Sequence, residues 1–207
     1  PVALLARLAQ RLPMLQVGAR DLPDRHQTLR ATIGWTYDLL DDSARAFFRR
    51  LAVFAGSFTL EAIAAICDVG SEETALANLA TLVDWQLVRV NEEPDGTARY
   101  RMLETIRAYA AEQLADDPTG GGEAALRERH ARHYLDLSAG AVPHLSSPAQ
   151  LSWLAQLDQE WDNLRVALAW ATTHRLFAPL AAAADGLGTL YELRASAEEG
   201  EEAFRAA

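Results

Sequence analysis

Over most of this chain the apolar residues recur three and four positions apart, the repeat of helices with one buried face. Between residues 86 and 102 that spacing breaks. Residues 86–91, with Leu87 and Val88, and residues 98–102 read as two short strands. Residues 92–97, centred on Pro94-Asp95-Gly96, read as the turn that joins them. A helical chain with a single hairpin has few ways to cover it. Helices, then the hairpin, then directly a long helix over 104–115 is the order of a winged-helix domain. The expected fold class is therefore mainly α, a winged helix with a two-stranded hairpin followed by a helical repeat region.

The flanks supply the remaining elements. Residues 2–12 pattern as an amphipathic helix with Leu4, Leu5, Leu8 and Leu12 on one face, stopped by Pro13. Residues 18–25, with Asp21, Pro23 and Asp24, read as a connector. Thr28 is the expected cap of a helix over 29–40 that lines up Ile33, Tyr37 and Leu40. Ser43 is the expected cap of the next, which carries Phe47, Phe48, Leu51 and Phe54 and ends at Gly56. A third helix spans 59–67, and Ser71 caps a fourth that runs to about Trp85. Asp116-Asp117-Pro118 and three consecutive glycines make 116–122 the clearest linker. Helices are expected after it at 123–139, 148–157, 160–173, 177–194 and from 197 onward, as stacked hairpins. Leu187-Gly188, Tyr191, Phe204 and Ala207 fit the spacing of a tetratricopeptide repeat, with Gly200 in its small-residue slot and Ala184 where its tryptophan would stand. The resulting division is 1–25, the end of a preceding helical segment; 26–116, the winged helix; 117–122, the linker; and 123–207, the repeats.

Composition removes several chemistries. The 207 residues are 50% hydrophobic and 23% charged, an ordinary globular balance. Charged residues interrupt every apolar run before it could span a membrane, and arginines interleave the first apolar residues, unlike a signal peptide. Cys67 is the single cysteine, so no internal disulfide or cysteine zinc cage forms, and a cytoplasmic setting is expected. All 19 basic residues are Arg, which excludes a phosphate-loop lysine, a Schiff-base lysine and a lysine base. The net charge of −10 argues against nucleic acid as a partner. So does its distribution. No basic residue lies between Arg50 and Arg89, where Glu61, Asp68, Glu72, Glu73 and Asp84 stand, and the wing tip carries Glu92, Glu93 and Asp95.

No catalytic constellation emerges, and the chain reads as non-enzymatic. His130 and His133 have zinc-like spacing but no third ligand at a fixed offset, and read as a partly exposed pair among arginines. Cys67 reads as a buried apolar residue. Ser43 and Ser71 read as caps, not nucleophiles. Glu104 and Glu112, two helical turns apart, are too generic for an acid–base pair. The groups Trp153, Trp161, Trp170 and Phe47, Phe48, Phe54 read as core. Arg20, Arg25 and Arg30 remain as candidates for phosphate or interdomain contacts, since the guanidinium fork suits both.

Several blocks resemble one known family: Arg20-Asp21-Leu22-Pro23, Arg25-His26-Gln27-Thr28-Leu29-Arg30, Tyr37-Asp38-Leu39-Leu40, Phe48-Arg49-Arg50-Leu51-Ala52-Val53-Phe54 and Arg101-Met102-Leu103-Glu104-Thr105-Ile106-Arg107. The chain resembles the signal-transduction ATPases with numerous domains (STAND ATPases), in the AfsR-like actinobacterial branch joined to LuxR-type and other transcriptional regulators. The likeness covers roughly residues 1–175 and is most specific over 20–60 and 99–110. It implies a region that follows an ATP-binding core: the end of a helical segment, a winged helix, and the first repeats of a sensor array. ATP or ADP with Mg would belong to that core, because this chain has no glycine-rich loop ending in Gly-Lys-Ser/Thr. In relatives the helix after the hairpin opens with Met-His-Asp, whose histidine meets the ADP β-phosphate. The matching residues here are Met102-Leu103-Glu104, and Leu103 brings no hydrogen-bond donor. The resemblance thus makes Arg101, Met102, Leu103 and Glu104 the residues nearest the nucleotide core in an intact protein. The expected partners are that core within the same chain and a ligand or protein at the repeats. The alternatives are a DNA-binding winged-helix domain and a free-standing repeat scaffold.

Overall fold

A computed structural model describes residues 24–68, 70–93, 96–117, 122–193 and 205. Helix α1 (Asp24–Leu39) is followed by α2 (Asp42–Arg50), a 3-10 turn at Leu51–Val53, strand β1 (Ser57–Phe58), α3 (Leu60–Ile66) and α4 (Glu72–Asp84). Strands β2 (Arg89–Glu92) and β3 (Ala98–Arg101) precede α5 (Glu104–Ala115). Then come α6 (Gly122–Ala141), a 3-10 turn at Val142–His144, α7 (Gln150–Gln159), α8 (Trp161–Thr173) and α9 (Phe177–Leu193). The expected helices at 2–12 and beyond 197, and with them Gly200, Phe204 and Ala207, lie outside the described residues.

The mainly helical winged-helix architecture is the one the sequence implies, with corrections at the element ends. Helix α1 starts four residues before Thr28, which is an interior position whose carbonyl accepts the Thr32 hydroxyl. Asp41, not Ser43, caps α2, accepting from the Ala44 N–H at 2.8 Å; the Ser43 hydroxyl accepts instead from Asn78 of α4. The expected cap at Ser71 is in place, and Thr59, expected only as the first residue of its helix, caps α3; each accepts from the residue three positions on. Helix α4 closes on Gln86, which is left-handed at φ 59°. The Gln86 N–H donates to Val83 and the Leu87 N–H to Leu82, a Schellman closure without glycine. That closure uses up Gln86–Val88, so β2 begins only at Arg89.

The hairpin is part of a three-stranded antiparallel sheet in the order β1-β3-β2, with Phe58 opposite Tyr100 and Val90 opposite Tyr100 on the other side. Strand β1 was not expected; two residues are too few to show a period. The edge strand β2 is exposed throughout and carries Arg89 and Glu92, charges that discourage further strand pairing.

One buried cluster runs through both halves of the described chain. Phe47, Phe48, Leu51, Ile63 and Leu82 fill the winged helix; Leu126, Leu135, Leu164, Leu187 and Leu190 fill the array. Phe54 joins the two, stacking on Phe58 at 4.4 Å and meeting the His130 ring of α6 at 5.8 Å. Helix α9 approaches α6 most closely at Gly186, where an added methyl would overlap the Ser138 carbonyl. Gly188, the glycine of the repeat pattern, has open space around it. Among the described residues no helix is long and apolar enough to cross a membrane.

Candidate interface at the wing–helix junction

Strand β3 delivers Arg101 to the surface, and three residues later α5 begins. Met102 points into the core at 5% exposure, while Leu103, the N-cap of α5, is 41% exposed. Leu103 is therefore not winged-helix core. Being leucine, it makes no side-chain bond to the α5 N-terminus. Glu104 turns back to Arg107, which donates to both carboxylate oxygens at 2.6 and 2.9 Å and holds that carboxyl below its ordinary range. The sequence-selected Arg101, Met102 and Glu104 line a cleft of about 460 Å³, walled on the other side by Asp162 and Arg165 of α8. Gly56 forms its floor at φ 79°, with Asp162 packed where a side chain would stand.

The other selected arginines are not in this cleft. Arg20 lies outside the described residues, and Arg25 enters only as backbone of α1. Arg30 forms a bidentate pair with Glu112 of α5, with Nη1 at 2.7 Å, and lies over the Tyr109 ring at 5.5 Å. It ties α1 to α5.

Behind the junction is a polar joint that sequence reading missed. Arg99 of β3, 6% exposed, donates to Glu160 at 2.6 Å and to the Ser57 hydroxyl at 3.0 Å. Asn163 of α8 is fully buried. Its Nδ2 donates to the Ser57 carbonyl at 2.8 Å and to Glu160 at 3.0 Å, and its Oδ1 accepts from the Ala55 N–H at 2.8 Å. His130 lies 3.4 Å from the same Oδ1. His130 is thus buried rather than partly exposed, and burial holds its imidazole down at about 4. Cys67 is buried as expected, and its thiol is pushed up to about 12. Among the described residues no three His, Cys, Asp or Glu side chains come together as a metal-holding group.

Helix α4 holds the place of the second helix of a helix-turn-helix. Ala75, Leu79 and Leu82 seat it on the core. Its outward face presents Glu72, Glu73, Thr74, Leu76, Ala77, Ala80 and Asp84, with no cation among them.

Comparison with known proteins gives the same domain. Residues 40–115 match the family described as winged helix-turn-helix domain. The chain is 38% identical over 193 residues to proteins of Mycobacterium tuberculosis and Mycobacterium bovis that are called, by name only, HTH-type transcriptional regulators. That match covers 90% of this chain and 21% of each relative, so the chain spans about a fifth of their length. A Mycobacterium tuberculosis protein named as uncharacterized is 38% identical over 138 residues, 64% of this chain and 34% of that protein. No solved structure matches the chain. The order of α2, α3, α4, β2, β3 and α5 over the matched residues makes 40–115 a winged helix-turn-helix domain.

Proposed function

We propose that this chain is a non-catalytic regulatory segment of a transcriptional regulator, in which the winged helix packs against protein rather than reading DNA. The observation that carries this is the outward face of α4. A helix entering the major groove brings donors to base edges and cations to phosphates. Here the face offers two glutamates, one aspartate, a threonine whose hydroxyl is bonded to that of Ser71, a leucine and alanines. The wing adds Glu92 and Glu93, while its buried arginine, Arg99, is paired inward with Glu160.

The resemblance to STAND ATPases supplies the finer reading. A nucleotide-binding core outside this sequence would face the Arg101–Glu104 junction, the helical array would receive a ligand or partner protein, and the joint at Asn163 would carry the coupling between them. The setting is cytoplasmic. This chain's own residues do not fit an ATP–Mg site: it has no phosphate loop and no lysine, and Leu103 stands where relatives place a phosphate-contacting histidine.

The match to a helix-turn-helix domain and the names of the relatives favour a second reading, direct DNA binding. Fluorescence anisotropy of labelled duplexes, titrated with the chain at rising salt, separates the two. The packing reading expects no saturable binding at physiological salt. Micromolar binding that weakens steeply with salt would establish the DNA-bound reading instead.

A further inference from the structure

We propose that the cleft between the end of α2 and the first half of α6 binds a small organic anion, a carboxylate or a phosphate ester, through Arg50 and Arg129. The inference is independent of whether the winged helix meets DNA or protein. The cleft has a volume of about 440 Å³, within the range of small-molecule sites. Arg49 and Arg50 reach it from the winged helix and Arg129 from the array.

Two of these guanidiniums are already immobilised. Arg129 Nε donates to the Ile66 carbonyl at 2.7 Å. Arg50 Nη1 donates to the carbonyls of Cys67 at 3.1 Å and Asp68 at 2.9 Å. Both side chains are thus anchored on three successive carbonyls at the end of α3, which brings two cations side by side. Each anchor uses one nitrogen. Among the described residues the Arg50 Nε and Nη2 and both Arg129 Nη atoms make no protein hydrogen bond. A guanidinium with a fixed stem and unused N–H groups is set up for an oxyanion with little further loss of side-chain freedom.

The charge balance agrees. Three arginines line the cleft against two carboxylates, and one of those, Asp117, is engaged by Arg49 at 3.1 Å. The other, Asp68, is exposed. Leu114, Ala125 and Leu126 give the cleft an apolar wall, which suits a carbon skeleton better than a bare inorganic ion. Bound there, such an anion would bridge the winged helix and the array.

Thermal melting and calorimetric titration of the full chain test this, with inorganic phosphate and succinate as probes against sodium chloride at matched ionic strength. The expected result is a saturable rise in Tm with phosphate, succinate or both, beyond that with chloride. Which probe acts identifies the headgroup. Arg129→Gln should weaken the response roughly tenfold, the loss of one charge-assisted contact. Because Arg129 also anchors α3, a second variant keeps every existing bond: Ala125→Glu places a carboxylate on the exposed rim of the cleft and should abolish the response in a chain that still folds. Equal shifts in all three salts, or an undiminished response in Ala125→Glu, would overturn the proposal.

Discussion

Asn163→Ala removes the centre of the joint between wing and array, and its cost can be worked out bond by bond. The wild-type side chain, itself fully buried, accepts from the Ala55 N–H and donates to the Ser57 carbonyl and to Glu160, all at 2.8–3.0 Å. Alanine leaves the Ala55 N–H without a partner, reduces the Ser57 carbonyl to its 3.4 Å bond from Arg99 Nη2, and removes one of the bonds to the Glu160 carboxylate. The unpaired N–H costs about 1–3 kcal/mol and each lost bond about 0.5–1.5 kcal/mol, so the sum is about 2–5 kcal/mol. At roughly 2–4 °C per kcal/mol for a chain of this size, Tm should fall by roughly 10 °C, followed by circular dichroism. Asn163→Asp sharpens the test. It keeps the acceptor for Ala55 but sets a second carboxylate beside Glu160, so it should be at least as damaging. A fall of less than about 3 °C for Asn163→Ala would refute the argument, because an orphaned N–H and two lost bonds around a fully buried side chain cannot be that cheap.

Leu103→Asp should leave the Tm of this chain within about 3 °C, since the side chain is half-exposed and caps no N–H group; under the proposed reading, with a nucleotide-binding core attached, it should also speed nucleotide exchange. A larger loss in this chain would return Leu103 to the core. Gly186→Ala should destabilise by about 1–3 kcal/mol, because the new methyl meets the Ser138 carbonyl and α9 must move off α6; an unchanged melting curve would show that the two helices are not so close. His130 gives a pH dependence. Its imidazole is held at about 4 against an ordinary 6.5, so as pH falls the unfolded chain takes up a proton before the folded one. Its contribution is constant above about 6.5 and is lost between about 6.5 and 4, by at most about 3 kcal/mol. The drop in Tm from neutral pH to pH about 5 should therefore be smaller in His130→Gln than in wild type, and equal drops would contradict a buried neutral histidine.

Where a residue's role depends on near neighbours, the sequence was informative. Ser71 caps as expected because a cap needs only an N–H three positions on. Phe47 and Phe48 of α2 are buried as the helical spacing implies, whereas Phe54, expected on the same helix, follows the 3-10 turn in an extended conformation and is buried against Phe58 and His130. Errors arose where two local candidates competed or where the partner is distant. Asp41 and Ser43 are both good caps, and Ser43 was taken up by Asn78, thirty-five positions away. The ends of α4 and α8, by contrast, fall within a residue of the expected positions, although Gln86 and Arg175 close them in left-handed conformations that usually signal glycine. The candidate site divides in the same way. Resemblance located the Arg101–Glu104 junction, but nothing local distinguishes Arg99 from a solvent-facing strand arginine, or Glu160 from an exposed residue between two helices. Their partners are sixty-one residues apart.

That pair also bears on what the wing can do. In the alternation of β3, Arg99 shares a face with Arg101, so a flat hairpin would present two cations to a polyanion. The described chain instead places α8 against that face and draws Arg99 into contact with Glu160, with each side chain only 7% exposed. Removing either partner alone would strand a buried charge, which costs far more than the pair contributes when intact. The ion pair therefore acts less as a source of stability than as a constraint on arrangement, since the wing can separate from the array only if both charges regain water together. In the proposed reading, a hairpin held in this way does not swing onto a DNA backbone but reports, through Ser57, Asn163 and the floor of the cleft at Gly56, whether the array is in place.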